Sequence, residues 1–175
     1  MKTLYLMRHF KVKDKTTHKL SATEFNDWVE AYDTYDLDYL NIDIPCVESI
    51  YVSSQDRAIK TAEYLQVDFE IIDNMQEVDA KAFFSTNKKF SKSFWLAGGR
   101  LLWYLNLSTT EKRKETIQRA AEIICKLEDN ESESILLISH ALFLRVLTAE
   151  LKKLGYQGKM DFRLQNAQIY EFVKL

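Results

Sequence analysis

Two histidines in this sequence stand at the ends of short apolar runs, where they could take part in chemistry. Residues 4–9 read LYLMRH and end in Arg8 and His9, and residues 135–140 read ILLISH and end in His140. Apolar runs of this length are typical of buried strands. Open α/β sheets place their ligands beyond the carboxyl ends of their strands. We therefore expect the two histidines to share one site.

Arg57 is a further candidate for the same site. It follows a third strand candidate, residues 49–53, and falls in the first turn of the predicted helix 56–65. A helix N-terminus and a guanidinium can face the same anion. Two arginines and two histidines in one place need a dianion to neutralise them, and the guanidinium fork matches the oxygens of phosphate. The sequence therefore predicts a phosphate site made of Arg8, His9, Arg57 and His140.

Such a site could transfer a phosphoryl group. A neutral imidazole in such a cage can attack phosphorus in line while positive neighbours stabilise charge on the equatorial oxygens. A carboxyl group must then give a proton to the departing alkoxide. Glu77 follows the fourth strand candidate, residues 69–72, and Asp79 is a nearby alternative for this role.

The intervening sequence alternates between predicted strands and helices. Ser21 and Glu24 have the spacing of a capping box. The helix that they open carries an apolar stripe at helical spacing, composed of Phe25, Trp28, Val29 and Tyr32. Ser108 and Glu111 predict a second capping box, before a long helix whose inward residues are Ile117, Ala121, Ile124 and Leu127.

A helix from about residue 142 to 154 and a strand over residues 168–173 complete the pattern. Strands separated by helices of this length imply crossover connections. We therefore predict an α/β fold with three layers, in which helices flank a mostly parallel central sheet.

Length and composition limit the class of protein. The 175 residues suit a single domain, residues 1–175, in which an aromatic-rich segment at about 79–107 forms a small cap. The net charge of −2 gives no reason to expect nucleic acid or a membrane surface as a partner. No apolar stretch approaches the ~18 residues of a membrane span. Cys46 and Cys125 have no metal-binding spacing, and we interpret them as reduced residues of a cytoplasmic protein that needs no metal and no cofactor.

Four segments of the chain resemble the histidine phosphatase superfamily, which has the phosphoglycerate-mutase-like fold. Residues 4–9 look like its signature, and residues 53–62 (SSQDRAIKTA) are similar to its second segment. Residues 75–77 match the segment that carries the proton donor, and residues 138–140 match the one with the second histidine. The order and spacing fit from residue 3 to the terminal strand.

This resemblance implies a role for each candidate. His9 would be the phosphorylated nucleophile. Three residues, Arg8, Arg57 and His140, would bind the phosphate, and His140 would be a catalytic residue as well. Glu77 would act first as acid and then as base, and its place in the motif favours it over Asp79. No metal would be required.

The sequence departs from the family's pattern next to His9. Phe10 stands where the family usually has glycine, and Lys11 and Lys15 replace an acidic residue and an asparagine. Ala141 follows the second histidine where glycine is frequent, and the glycine-tryptophan pair often found after the proton donor is missing. We expect Phe10 and Lys11 to border the substrate pocket, and the Phe10 ring to restrict what enters it.

Together these patterns predict a metal-independent phosphatase that hydrolyses a phosphomonoester through a phosphohistidine. Its partner would be a small phosphorylated substrate or a phosphoprotein. No pattern in the sequence indicates the oligomeric state. One alternative is a weak or inactive domain that binds a phospho-ligand or a protein, with Phe10 filling the pocket. The other is a phosphomutase, although the chain is short for the insertions that mutases of this fold usually carry.

Overall fold

The computed structural model describes residues 1–174, which form five α-helices and eight β-strands. In chain order the strands are β1 (Lys2–Arg8), β2 (Lys11–Val12), β3 (Leu37–Asp38), β4 (Ser49–Ser53), β5 (Glu70–Ile72), β6 (Ser134–Ser139), β7 (Gln157–Gly158) and β8 (Ile169–Lys174). The helices are α1 (Ala22–Tyr32), α2 (Asp56–Tyr64), α3 (Lys92–Tyr104), α4 (Arg113–Asp129) and α5 (Ala141–Lys153). None of these helices is long and apolar enough to cross a membrane.

Six strands form one central sheet in the order β5-β4-β6-β1-β8-β7. The first four are mutually parallel, and β8 pairs antiparallel with both β1 and β7. The predicted mostly parallel sheet is confirmed. In the register of β1 and β6, Arg8 lies opposite Ser139, so the residues that follow these two strands emerge side by side.

Alternating side chains of the strands pack against helices on both faces of the sheet, as expected for three layers. On one face Leu4 and Leu6 belong to a core cluster with α4 and α5, which includes Ile124 and Leu147. On the other face Met7 packs with residues of α2, among them Ala58 and Ala62. The sheet core therefore fixes the ends of β1, β4 and β6 relative to one another.

Helices α1 and α3 pack together beside this core. Phe25 of α1 and Trp95 of α3 are fully buried and stacked, with ring centroids 5.7 Å apart. The capping box predicted for Ser21 and Glu24 is present. Of the predicted α1 stripe only Phe25 is fully buried, because the other members face the space between α1, α3 and the sheet.

The second predicted capping box is wrong. Helix α4 begins at Arg113, after an N-cap at Lys112 whose backbone N–H is bound by Glu115. The Glu111 carboxylate is instead engaged by Arg119, 2.9 Å away. Of the predicted inward residues, Ile124 and Leu127 are buried, Ile117 is half-buried and Ala121 is exposed, while Thr116, Ala120 and Ile123 complete the buried face.

Candidate active site

His9 and His140 lie next to each other at the carboxyl ends of β1 and β6. The His9 backbone N–H donates to Ser139 O over 3.1 Å, and the two imidazole centroids are 5.1 Å apart. Both rings are almost completely buried, with exposed fractions of 3% and 0%. The structure thus brings together the two histidines that the apolar runs singled out.

Hydrogen bonding fixes the tautomer of His9. Its Nδ1 lies 2.6 Å from the Phe10 carbonyl oxygen, which can only accept, so Nδ1 carries the hydrogen and Nε2 is the basic nitrogen. Burial lowers the pKa of His9 to about 3, and the positive charges of Arg57 and Arg8 add to the effect. His9 is therefore a neutral imidazole at neutral pH.

Arg57 binds His140 directly. The Nε–H of Arg57 donates to His140 Nδ1 over 3.2 Å, so the hydrogen of this imidazole resides on Nε2, which lies 2.8 Å from Ser53 Oγ. Burial lowers the pKa of His140 well below its ordinary value, and the charge of Arg57 lowers it further. His140 is neutral as well, and Arg57 is held against it.

The remaining nitrogens of Arg57 also have partners. Nη1 donates to the carboxylate of Asp33, and Nη2 donates to Gln55 Oε1 over 2.9 Å. Gln55 Oε1 also accepts from the Glu77 backbone N–H, 2.9 Å away. Gln55 therefore links the guanidinium to the segment that carries the candidate proton donor.

Arg8 is less completely engaged. Its Nη1 donates to Leu164 O over 3.0 Å, while its Nε is buried without a hydrogen-bond partner among residues 1–174. Burial lowers the pKa of Arg8 from its ordinary value, and the nearby Glu77 carboxylate opposes this shift. A buried N–H donor without an acceptor is costly, so an anion that accepts from it would be bound favourably.

Glu77 occupies the N-terminus of α5. Its carboxylate accepts hydrogen bonds from the backbone N–H groups of Leu142 (3.2 Å) and Phe143 (3.1 Å), and from that of Val78 (2.9 Å). The segment before it is fixed by Arg119, whose Nη1 donates to the carbonyl oxygens of Asn74 and Gln76. Asp79 lines the same pocket but is exposed, and its side chain has no hydrogen bond within the described part of the chain.

These groups open into one pocket of about 220 Å³. Its polar lining comes from the strand ends and the segments after them, and its apolar wall comes from α1, α3 and the segment before α3. The lining residues are Arg8, His9, Trp28, Val29, Tyr32, Asp33, Gln55, Arg57, Glu77, Val78, Asp79, Ala80, Leu96 and Arg100. His140 lies behind this surface, in contact with Arg57.

Phe10 and Lys11 do not line the pocket, contrary to the sequence-based expectation. The Phe10 ring is 0% exposed and makes edge contacts with Tyr39 and Tyr64, with centroids 6.0 and 5.7 Å away. Lys11 lies in β2, which pairs with β3, and its exposed ammonium faces Asp38. This short pairing turns the chain away from the pocket directly after His9.

We expect Phe10→Ala to destabilise the protein by about 3–5 kcal/mol, because it removes a fully buried ring and leaves a cavity beneath Tyr39 and Tyr64. Urea unfolding measures this effect, and Phe162→Ala, at a side chain that is 89% exposed, is the control. The range of phosphate esters hydrolysed should stay the same. A changed substrate range with unchanged stability would indicate that the Phe10 ring lines the pocket after all.

Comparison with known proteins identifies the family of this chain. The sequence profile of the histidine phosphatase superfamily (branch 1) matches residues 40–173, a range that includes Arg57, Glu77 and His140 and begins after His9. The chain is a member of this superfamily. No match was found among curated proteins.

Solved structures of phosphatases share the fold of this histidine phosphatase superfamily member. A phosphoserine phosphatase mutant from Entamoeba histolytica, in complex with phosphoserine, superimposes with a TM-score of 0.60 at 17% identity, over 99% of this chain and 91% of the other. The alpha-ribazole phosphatase of Shigella flexneri has a TM-score of 0.55 at 16% identity, over 96% and 95%. A mycobacterial glucosyl-3-phosphoglycerate phosphatase has a TM-score of 0.52 at 16% identity, over 87% and 80%.

Several site residues of this superfamily member escaped the sequence analysis. Asp33 ends α1 and Arg100 lies within α3, where a charged residue usually faces solvent. Asn166 donates from Nδ2 to the His9 carbonyl oxygen over 2.7 Å. The next residue, Ala167, adopts φ 62° and donates its N–H to Arg8 O over 2.9 Å. Left-handed backbone at a non-glycine residue is uncommon, and here it braces the turn that presents His9.

The low pKa of His9 predicts a pH dependence of stability. Between pH 3 and 6.5 the unfolded chain binds a proton at His9 that the folded protein does not. The stability that the neutral His9 contributes is therefore fully present above pH 6.5 and is lost as the pH falls towards 3. Lowering the pH from 7 to 5 should therefore reduce the free energy of unfolding by about 2 kcal/mol through His9 alone. We expect His9→Asn to remove that part of the pH dependence in urea titrations. The control is His18→Asn, at an exposed histidine; equal slopes in both variants would contradict the buried neutral imidazole.

Proposed function

We propose that this protein is a metal-independent phosphomonoesterase that works through a phosphohistidine on His9. The observation that carries the proposal is the state of that ring. Its Nδ1–H is held by the Phe10 carbonyl oxygen at 2.6 Å, and its low pKa leaves Nε2 unprotonated. A nucleophile that needs no prior deprotonation is suited to attack on phosphorus.

The surroundings of His9 suit a phosphate dianion. Arg8 and Arg57 line the same pocket, and their charges would stabilise the oxygens of the transferring group. The buried Nε–H of Arg8 has no acceptor among residues 1–174 and could donate a hydrogen bond to a phosphate oxygen. His140, neutral and bonded to Arg57, would hold that guanidinium in place during the transfer.

We assign the proton transfers to Glu77. As the bond from phosphorus to the ester oxygen breaks, a protonated Glu77 would give its proton to that oxygen. The resulting carboxylate would then take a proton from the water that attacks the phosphohistidine, releasing inorganic phosphate and restoring His9. The three backbone N–H groups that bind Glu77 fix its position for both steps.

The pocket favours a small phosphorylated substrate. Its volume of about 220 Å³ is below the roughly 300–1,000 Å³ of pockets that bury drug-sized ligands. A structural neighbour was solved with phosphoserine, and another phosphoserine phosphatase structure holds 3-phosphoglyceric acid. The alternative of a binding domain closed by Phe10 loses its basis, because that ring lies outside the pocket.

We further propose that the chain is one domain with residues 79–107 as a cap. Asp79, Ala80, Leu96 and Arg100 of this segment line the pocket. The free thiols of Cys46 and Cys125 support a reducing, cytoplasmic compartment.

Activity should survive excess EDTA, because Arg8 and Arg57 supply the positive charge that a metal would otherwise bring. Vanadate, a mimic of five-coordinate phosphorus, should inhibit. Both are measured with a panel of phosphorylated metabolites and phosphopeptides. Full loss of activity on chelation, with recovery on adding Mg²⁺ or Zn²⁺, would replace this mechanism with a metal-dependent one.

A further inference from the structure

Arg100 of α3 lines the pocket beside the phosphate site without an anionic partner. Its Nη1 donates to Val78 O over 2.9 Å, which anchors the guanidinium to the segment that carries Glu77. Within residues 1–174 its other nitrogens have no acceptor, and no carboxylate lies within ion-pair distance. The guanidinium therefore keeps donors available for a ligand.

The environment of Arg100 strengthens its attraction for an anion. Trp28, Val29 and Leu96 line the same pocket and form an apolar wall, where charges interact more strongly than in water. Arg8 and Arg57 are needed for the phosphate, so Arg100 is the remaining guanidinium in the pocket.

We propose that Arg100 binds a carboxylate of the substrate, so that the substrate is a small phosphomonoester that also carries a carboxylate. This inference rests on the proposed phosphatase function. A planar carboxylate fits the guanidinium fork. A second phosphate is disfavoured, because Asp79 adds negative charge to a pocket of about 220 Å³, and a dianion is repelled more strongly than a single carboxylate.

The test compares substrates that differ only in this group. O-phosphoserine is paired with O-phosphoethanolamine, and 3-phosphoglycerate with glycerol 3-phosphate. Hydrogen bonds to charged groups are worth about 1.5–3 kcal/mol, so kcat/KM should favour each carboxylate by about 10- to 100-fold. Arg100→Met should abolish that preference and change kcat/KM for the member without the carboxylate by less than about threefold. The control is Arg113→Met, at a side chain that stacks on Tyr104 outside the pocket.

Binding to the His9→Ala variant, measured by calorimetry, repeats the comparison without turnover. A carboxylate preference that disappears with Arg100 supports the inference even if the proposed chemistry fails. Equal kcat/KM and equal binding for both members of each pair, or an equal loss for both in Arg100→Met, would overturn it while leaving the phosphatase function intact.

A second inference rests on Asp33, whose carboxylate is bound by Nη1 of Arg57. With His140 on Nε and Gln55 on Nη2, every nitrogen of this guanidinium has a protein partner. A guanidinium has five N–H donors, so two of them remain for a phosphate, but Asp33 already neutralises part of the positive charge that would attract it. Asp33 is the only anion among the three.

The position of Asp33 is unfavourable for a carboxylate on its own. It follows the last turn of α1, where the helix dipole presents negative charge. The Arg57 side chain is only 9% exposed, so the pair is poorly screened by solvent, whereas the Asp33 side chain is 31% exposed and partly hydrated. A phosphate on Arg57 would weaken this ion pair, because both anions draw on the same positive charge.

We infer that Asp33 is a built-in counter-ion that competes with phosphate for Arg57 and thereby weakens product binding. Asp33→Asn keeps the shape and removes the charge. It should lower the inhibition constants of inorganic phosphate and vanadate by about tenfold, measured against p-nitrophenyl phosphate. Asp36→Asn removes the same charge from a surface pair with Lys13 and should leave both constants unchanged.

An alternative role for Asp33 is to orient Arg57 for catalysis. In that case Asp33→Asn would weaken phosphate binding and raise KM, and this result would overturn the inference. Thermal unfolding of both variants verifies that they are folded. Asp33→Ser, which also lacks the charge, must shift the inhibition constants in the same direction as Asp33→Asn.

Discussion

Replacement of His9 by alanine should lower kcat by at least about three orders of magnitude, the scale on which loss of a covalent nucleophile is felt. The variant keeps Arg8 and Arg57, so it should still bind phosphate esters. Steady-state assays with p-nitrophenyl phosphate measure the loss. Rates that are undiminished would remove His9 from the mechanism.

The matched control is His18→Ala, because this histidine is exposed and lies outside the pocket. It should retain activity within about twofold, as expected for a surface substitution. An equal loss in both variants would indicate a change in folding and not in chemistry.

Replacement of Glu77 by glutamine should have the second largest effect, and that effect should depend on the leaving group. General acid catalysis contributes about 10²- to 10⁴-fold, so kcat/KM for an alkyl phosphate should fall by that factor. For p-nitrophenyl phosphate, whose phenolate leaves without help, the loss should be much smaller. The glutamine oxygen can take the place of Oε1 and keep the hydrogen bonds from the backbone N–H groups of Val78 and Phe143, whereas the one from Leu142 to Oε2 is lost.

Asp79→Asn separates the two candidate acids. If Glu77 is the proton donor, this variant should hydrolyse both classes of ester nearly as well as the unchanged protein. A loss confined to alkyl phosphates in Asp79→Asn, together with near-normal rates in Glu77→Gln, would exchange their roles.

The fold could be predicted from the sequence because its strongest signals are local. The apolar runs before Arg8 and His140 are largely buried strands, and their parallel pairing brings the centroids of the two imidazoles within 5.1 Å. The Ser21 capping box involves only residues three apart, so it is visible in the sequence. By contrast, the Glu111 carboxylate forms hydrogen bonds with Arg119, eight residues away, and is not available to cap the helix. A rule based on residues three apart cannot predict such a longer-range contact.

The pocket was less predictable because its walls are brought together by packing. Asp33 and Arg100 belong to different helices, and only the contact of α1 with α3 places them around His9. Phe10 follows the nucleophile in sequence, yet the pairing of β2 with β3 directs its ring into a separate cluster. Adjacency along the chain was therefore a poor guide to adjacency in the pocket.

The central claim is a phosphoryl group carried on His9, and rapid quenching tests it most directly. Enzyme mixed with substrate for milliseconds is denatured, divided between acid and base, and analysed by intact mass and peptide mapping. We predict a phosphoryl adduct on the peptide that contains His9, stable in base and labile in acid, and absent from His9→Ala. Turnover without any adduct, or an acid-stable phosphoryl group on another residue, would contradict the mechanism.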